Sequence, residues 1–137
     1  MNIVLNILIV ILTFWLMEFI AWATHKYVMH GFLWNLHKDH HQVNKDKIIE
    51  NNDAFFLIFA LPGAVFMILG STLLFVGIGI TLYGFAYFII HEIFIHQRIK
   101  LFKRTTLTYF KAIRKAHKVH HKSQVKENGK CFGINIH

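Results

Sequence analysis

This sequence is short of the features that usually stabilise a small soluble protein. It has one cysteine, Cys131, and one proline, Pro62, in 137 residues. A lone thiol excludes a disulfide framework, a thiolate zinc knuckle and an iron–sulfur cluster held by this chain alone. No GxGxxG string occurs, so the usual phosphate-binding loop for a flavin or nicotinamide nucleotide is missing. Charge is scarce as well, at 16% of residues against roughly 25% in a soluble domain. Seven acids face fifteen Lys and Arg, a formal charge of +8. Apolar residues fill the gap, at 55%, with a mean hydropathy of +0.43. Such a chain is neither disordered nor an ordinary globule, and its length suits a single domain, residues 1–137.

The apolar residues are concentrated in long runs. Residues 3–23 contain one ionisable group, Glu18, and as a helix they reach ~31 Å, enough to cross a hydrocarbon core. Ala21-Trp22-Ala23 mimics a signal-peptidase site. The basic n-region is missing, however, and the run is too long for an h-region, so a retained first helix is expected. Residues 54–90 carry no charge and suit two crossings, about 54–70 and 72–90, with turn sites at Gly70-Ser71 and at Gly77/Gly79. Gly63, Ala64, Gly84 and Ala86 offer close helix packing. Three crossings place residues 24–53 and 91–137 on one side, and all fifteen Lys and Arg fall there. The positive-inside bias makes that side the cytoplasmic face of the inner membrane.

The predicted fold is therefore all-α, a multi-pass membrane protein with a short cytoplasmic helical cap. Within the cap, residues 106–122 have helical periodicity. Lys111, Lys115, Lys118 and Lys122 form one stripe, and Leu107, Phe110, Ile113, His117 and His120 form the other. The lysine stripe reads as a helix resting on anionic lipid. No nucleic-acid-binding motif accompanies it, so no nucleic-acid partner is expected.

Eleven histidines remain to be explained, and ten obey a repeat. His25 and His30 are spaced HxxxxH, and His37, His40 and His41 are spaced HxxHH. His91 and His96 repeat the first spacing; His117, His120 and His121 repeat the second. His137 stands outside the pattern and receives no role. HxxHH puts three rings on one helical face, where all three can point at one pocket. HxxxxH separates its rings by about 140° on an α-helix. Both rings share a site only if the helix ends or distorts between them; otherwise they reach different metals.

Neutral imidazole is a good ligand for iron, zinc, copper and nickel, and ten rings suit two ions at about five nitrogens each. Transport sites normally lie near the bilayer midplane. Haem needs paired rather than triplet histidines, and hydrolytic two-metal sites recruit carboxylates. A di-iron centre that activates O2 against an unactivated C–H bond of a lipid fits better. Its electrons must come from a separate protein, and zinc in place of iron is compatible with the ligands. A membrane metal carrier or sensor is the non-enzymatic alternative.

Met17-Glu18, His25-Lys26-Tyr27 to His30-Gly31, the clusters at His37–His41 and His117–His121, Asn52-Asp53 and His96-Gln97-Arg98 closely resemble the bacterial β-carotene hydroxylases. These belong to the fatty-acid hydroxylase superfamily of histidine-rich di-iron membrane enzymes. The resemblance covers about residues 5–134. It implies O2-dependent 3-hydroxylation of β-ionone rings, taking β-carotene through β-cryptoxanthin to zeaxanthin. The implied cofactors are two irons and O2, with electrons from a ferredoxin or NAD(P)H reductase. It further implies that His25, His30, His37, His40, His41, His91, His96, His117, His120 and His121 are the metal ligands, with no catalytic residue beyond the metal centre. A superfamily member acting on a fatty acyl or sterol lipid would share these histidines.

Glu92 stands where the resemblance leads one to expect Asp. Residues 131–137 form a short tail, which bears on substrate closure and not on the metal. Glu18, seven residues before His25 and near the same helical face, is a candidate hydrogen-bond partner for a ligand histidine or Lys26. The other reading is a protonated or snorkelling acid. Asp39 and Glu92 lie inside histidine clusters and either support ligands or are solvated. Arg98 and Lys26 read as interfacial anchors. Trp15, Trp22, Phe85 and Phe88 are candidate linings of a tunnel.

Overall fold

The computed structural model describes residues 2–42, 49–102, 104–126 and 130–132; His137 lies outside them. Every regular element among the described residues is helical. Helix α1 (Ile3–Ala23) runs on into a π-helical segment, Thr24–Phe32. A kink at Gly31 (φ −98°, ψ −122°) then redirects the chain into α2 (Trp34–His41). A 3-10 turn, Asn51–Ala54, leads into α3 (Phe55–Leu69). Helix α4 (Ser71–Phe88) continues as a second π-helical segment, Ile89–Ile95, and α5 (Thr108–His120) closes the set.

Three stretches, Ile3–Phe32, Asn51–Leu69 and Ser71–Ile95, are long and apolar enough to cross a membrane. The first and third exceed the predicted crossings because the π-helical segments prolong them. Helix α1 exposes Leu5, Leu8, Leu12, Trp15, Leu16 and Phe19, a surface suited to lipid and costly in water.

The hairpin turns at Gly70, whose φ of +71° favours a residue without Cβ. Gly77 and Gly79, read from sequence as alternative turn sites, lie inside α4 and set helix spacing. A Cβ on Gly77 would fall 2.6 Å from the Gly63 carbonyl oxygen and 2.8 Å from the Met67 nitrogen of α3. One on Gly79 would fall 2.7 Å from Thr13 Cβ of α1. Gly84, by contrast, has open space around it, and Ala64 is exposed, so neither makes the predicted close contact. Gly77→Ala is expected to push α3 off α4 at a cost of about 1–3 kcal/mol. A thermal unfolding midpoint in detergent lower than wild type is the expected reading; an equal midpoint would show that the hairpin absorbs the methyl.

Between α1, α3 and α4 the core is Met17, Ile80 and Tyr83, flanked by Phe14, Phe59, Phe66, Val76 and Tyr87. Beyond Tyr87 the interior changes character. Among the described residues, eight histidines are buried against seven apolar side chains. Helix α5 contributes to this interior through Ile113, His117 and His120. It is fastened by Arg114, whose Nε and Nη2 donate to the Phe94 carbonyl at 3.0 and 2.8 Å while its guanidinium covers the Phe94 ring. Leu107, placed by periodicity on one stripe with Ile113, His117 and His120, precedes the helix and is exposed.

Candidate metal centre

The HxxxxH spacing works because both pairs sit on π-helical backbone. An i→i+5 hydrogen bond brings residue i+5 over residue i, and the His96 amide donates to the His91 carbonyl at 2.9 Å. In the first segment Leu33 donates to Val28 in the same way, at 3.0 Å. The rings of each pair are consequently neighbours, with centroids 5.2 Å apart for His25/His30 and 4.6 Å for His91/His96. Helix distortion, one of the options left open by the spacing, is what occurs.

The triplets depart from expectation. On α2, His37 and His41 enter one group while His40 enters another; on α5, His117 and His121 enter the second group while His120 enters the first. Relative to residue i, i+4 lies about 40° to one side and i+3 about 60° to the other. The three rings therefore fan across two pockets and do not converge on one. The first group is His25, His30, His37, His41 and His120; the second is His40, His96, His117 and His121, and ligand atoms within each lie within 4.8 Å of one another. His91 borders the second group, its ring 4.6 Å from His96 and 4.7 Å from His117.

Most rings are oriented through Nδ1. Carbonyls of Phe132, Ser123 and Lys130 accept from His25, His41 and His120 at 2.7–2.8 Å, and the Lys126 carbonyl receives His30 at 3.4 Å. Side chains of Asn52, Glu50 and Glu92 accept from His37, His40 and His91 at 2.6–2.7 Å. A proton on Nδ1 leaves a lone pair on Nε2. Those Nε2 atoms nevertheless approach each other: His25 and His41 each lie 3.1 Å from His37, and His30 lies 3.2 Å from His120. In the second group His96 and His117 are 2.8 Å apart. Burial, with neighbouring imidazoles adding to it, holds His37 and His120 down to about 3 and His41 to about 4. His96 is likewise lowered to about 3, and His40, His117 and His121 are also lowered. Neutral rings with inward lone pairs are poor partners for each other and good ones for a cation.

Behind the second group stands a charge network. A capping box between Glu50 and Asp53 fixes the 3-10 turn, with the Glu50 amide donating to Asp53 at 3.0 Å. This places Glu50 on His40; because burial keeps that ring neutral, the contact is an N–H···O hydrogen bond. Arg98 joins Glu50 at 2.9 Å, Asp53 at 3.0 Å and Glu92 at 2.7 Å. Arg98 thus grips the partners of both His40 and His91. Asp39 accepts from the Asn51 amide at 2.6 Å, which anchors the turn, and Glu18 accepts from the Tyr83 hydroxyl at 2.8 Å. A narrow cavity of ≈ 20 Å³ lies beside Glu18 and Tyr83, between α1 and α4. His25, His91 and His117 lie on its lining with Trp22, Tyr87 and Phe132. Of the four aromatics proposed for a tunnel, Trp22 lines this cavity; Trp15, Phe85 and Phe88 are exposed.

The sequence profile described as fatty acid hydroxylase matches residues 10–136. The chain belongs to the fatty acid hydroxylase family. It is 38% identical over 133 residues to the β-carotene hydroxylase of Pantoea ananas, covering 94% of this chain and 75% of that one. The Paracoccus sp. (strain PC1) β-carotene hydroxylase is 34% identical over 132 residues, 93% of this chain and 81% of its own. A chloroplastic β-carotene 3-hydroxylase from an Oncidium hybrid cultivar is 36% identical over 126 residues, 86% of this chain and 40% of its own. No solved structure matches.

In this fatty acid hydroxylase, several residues at the centre had gone without a role in the sequence reading. Glu50 was readable from the acid pair flanking Asn51-Asn52 at the start of an apolar run. The carbonyls of Ser123, Lys126, Lys130 and Phe132 have no side-chain signature, yet they tie the tail to the histidines rather than to substrate closure alone. Arg98 was read as an interfacial anchor, whereas its guanidinium is committed to three carboxylates. Arg98→Met is expected to weaken metal retention by about 10–100-fold, the usual cost of losing a group that orients a ligand. Dialysis of the purified hydroxylase against a chelator measures this, and retention equal to wild type would remove Arg98 from the centre.

Proposed function

We propose that this hydroxylase adds a hydroxyl group at C3 of the β-ionone rings of carotenoids, converting β-carotene through β-cryptoxanthin to zeaxanthin at a centre of two irons. The observation that carries the metal is the set of Nε2–Nε2 approaches of 2.8–3.2 Å between neutral rings. His40 Nε2 and His121 Nε2 add to it, being buried without a hydrogen-bond partner among the described residues. The donor set fits ions that accept imidazole nitrogen. His25, His30, His37, His41 and His120 would hold one ion, and His40, His91, His96, His117 and His121 the other. When bound, two irons supply the O2 activation and redox capacity that imidazoles lack.

The protein's own contribution is orientation and exclusion. Nδ1 partners fix the tautomer and aim of seven of the ten rings. Trp22, Ile95, Ile113 and Phe132 line the cavity next to the histidines and keep water from the reacting carbon. The carotenoid substrate is supported by relatives named β-carotene hydroxylase in both bacteria and chloroplasts. The basic segments support a cytoplasmic-side centre in the inner membrane, with electrons from a separate ferredoxin or reductase. Expression in a β-carotene-accumulating host with pigment chromatography tests the reading. Zeaxanthin and β-cryptoxanthin are expected; unchanged β-carotene despite membrane-inserted, iron-loaded protein would overturn it.

A further inference from the structure

Helix α5 has two opposed faces. Its inner face buries Ile113, His117 and His120, while Lys111, Lys115, Lys118 and Lys122 are exposed. On an α-helix the centre of the lysine stripe lies about 135° from the centre of His117, His120 and His121. The histidine groups are sandwiched between this inner face and the ends of the membrane-length helices, which supply His25, His30 and His91. The lysines therefore point away from the apolar helices and toward water. Anionic lipid, the occupant expected from sequence, is the competing reading that the experiment below separates out.

The surface there is strongly one-signed. Residues 93–126 contain ten Lys and Arg and no acid. Among the described residues none of the four lysines takes part in an ion pair. Beside them a groove is lined by Arg104, Thr106, Leu107, Lys111, Lys115 and Lys118. The helix itself is about 10–12 Å across, so a molecule seated on the lysine face stands one helix diameter from both groups. His117 and Lys118 are adjacent in the chain, as are His121 and Lys122.

Hydroxylation balances as R–H + O2 + 2 e⁻ + 2 H⁺ → R–OH + H2O, so two electrons must enter per turnover. We infer that the Lys111/Lys115/Lys118/Lys122 face of α5 is the docking surface for an acidic one-electron carrier of the iron–sulfur class. The inference rests on the hydroxylase reading above and names the partner surface of the same centre. Complementary charge attracts the carrier and sets its orientation, and short distance favours the transfer.

The test uses iron-loaded full-length protein in neutral phosphatidylcholine nanodiscs with a plant-type [2Fe–2S] ferredoxin. Binding, rate of iron reduction and product are measured separately, and a small chemical reductant such as reduced methyl viologen serves as a second donor. The triple variant Lys111→Glu, Lys115→Glu, Lys118→Glu should weaken ferredoxin binding and reduction at least tenfold. It should also flatten the salt dependence and keep viologen-driven product within about twofold. Replacement of the same three by Arg should retain docking. Wild-type ferredoxin reduction in the triple Glu variant would overturn the inference. So would a loss confined to binding of phosphatidylglycerol vesicles, which would return the face to the membrane. Wild-type protein that is reduced by ferredoxin through this face but makes no hydroxylated carotenoid would support the docking surface and refute the carotenoid reading.

Discussion

His40→Ala and His120→Ala are each expected to lower zeaxanthin formation at least about a hundredfold, more than the loss of a group that merely orients a ligand, and to leave fewer than two metal ions per chain. Both rings are fully enclosed, at 2% and 0% exposure, and each crosses from its own helix to the group dominated by the other. His40 reaches the α5 pair His117 and His121, and His120 reaches the α2 pair His37 and His41. Loss of either ring removes a nitrogen at a junction of both helices. Metal analysis of purified variants, with pigment chromatography of the host, measures both effects. Two ions and wild-type product in either variant would show that the ring is structural only.

Acidification is expected to act nearly as strongly. In an unfolded chain histidine titrates near 6.5, whereas His37 and His120 resist protonation to about 3 and His41 to about 4. Between these values the unfolded state holds more protons, so the stabilisation is complete above pH 6.5 and is lost as pH falls through the window. Each ring contributes about 1 kcal/mol over the first unit below 6.5, so three contribute about 3 kcal/mol. Metal binding has the same sign, because a protonated ring cannot ligate. Unfolding midpoints of metal-free protein in detergent at pH 7.5 and 5.5, and metal retention over the same range, are the measurements. Equal midpoints would mean that the rings are already protonated or hydrated.

The sequence was informative wherever chemistry is carried by side-chain periodicity. The apolar runs located three membrane-length helices, and the repeated histidine spacings located the centre, because both depend on which residues recur and at what interval. Geometry also narrowed His25–His30 and His91–His96 to a helix that ends, a helix that distorts or two separate metals, since α-helical rings five apart diverge, and the π-helical backbone selects distortion. What sequence could not reveal was the exchange of His40 and His120 between groups. A fan of about 100° is compatible with one pocket or with two, and the choice depends on where α2 and α5 lie in space. Carbonyl partners were hidden for a related reason: every residue carries a carbonyl, so Ser123 or Phe132 acquires its role only through the path of the tail. Gly77 and Gly79 were misread as turns because glycine signals a bend and a close helix approach by the same missing Cβ.

The exchange of rings between α2 and α5 also sets the order in which this enzyme can be assembled. The first group lacks a nitrogen until residue 120 has been synthesised, and the second draws on His40, made long before its other members. Neither histidine group is complete on the first half of the chain. On the proposed reading, metal capture would follow synthesis of the third membrane-length helix and the return of α5 across the helix ends.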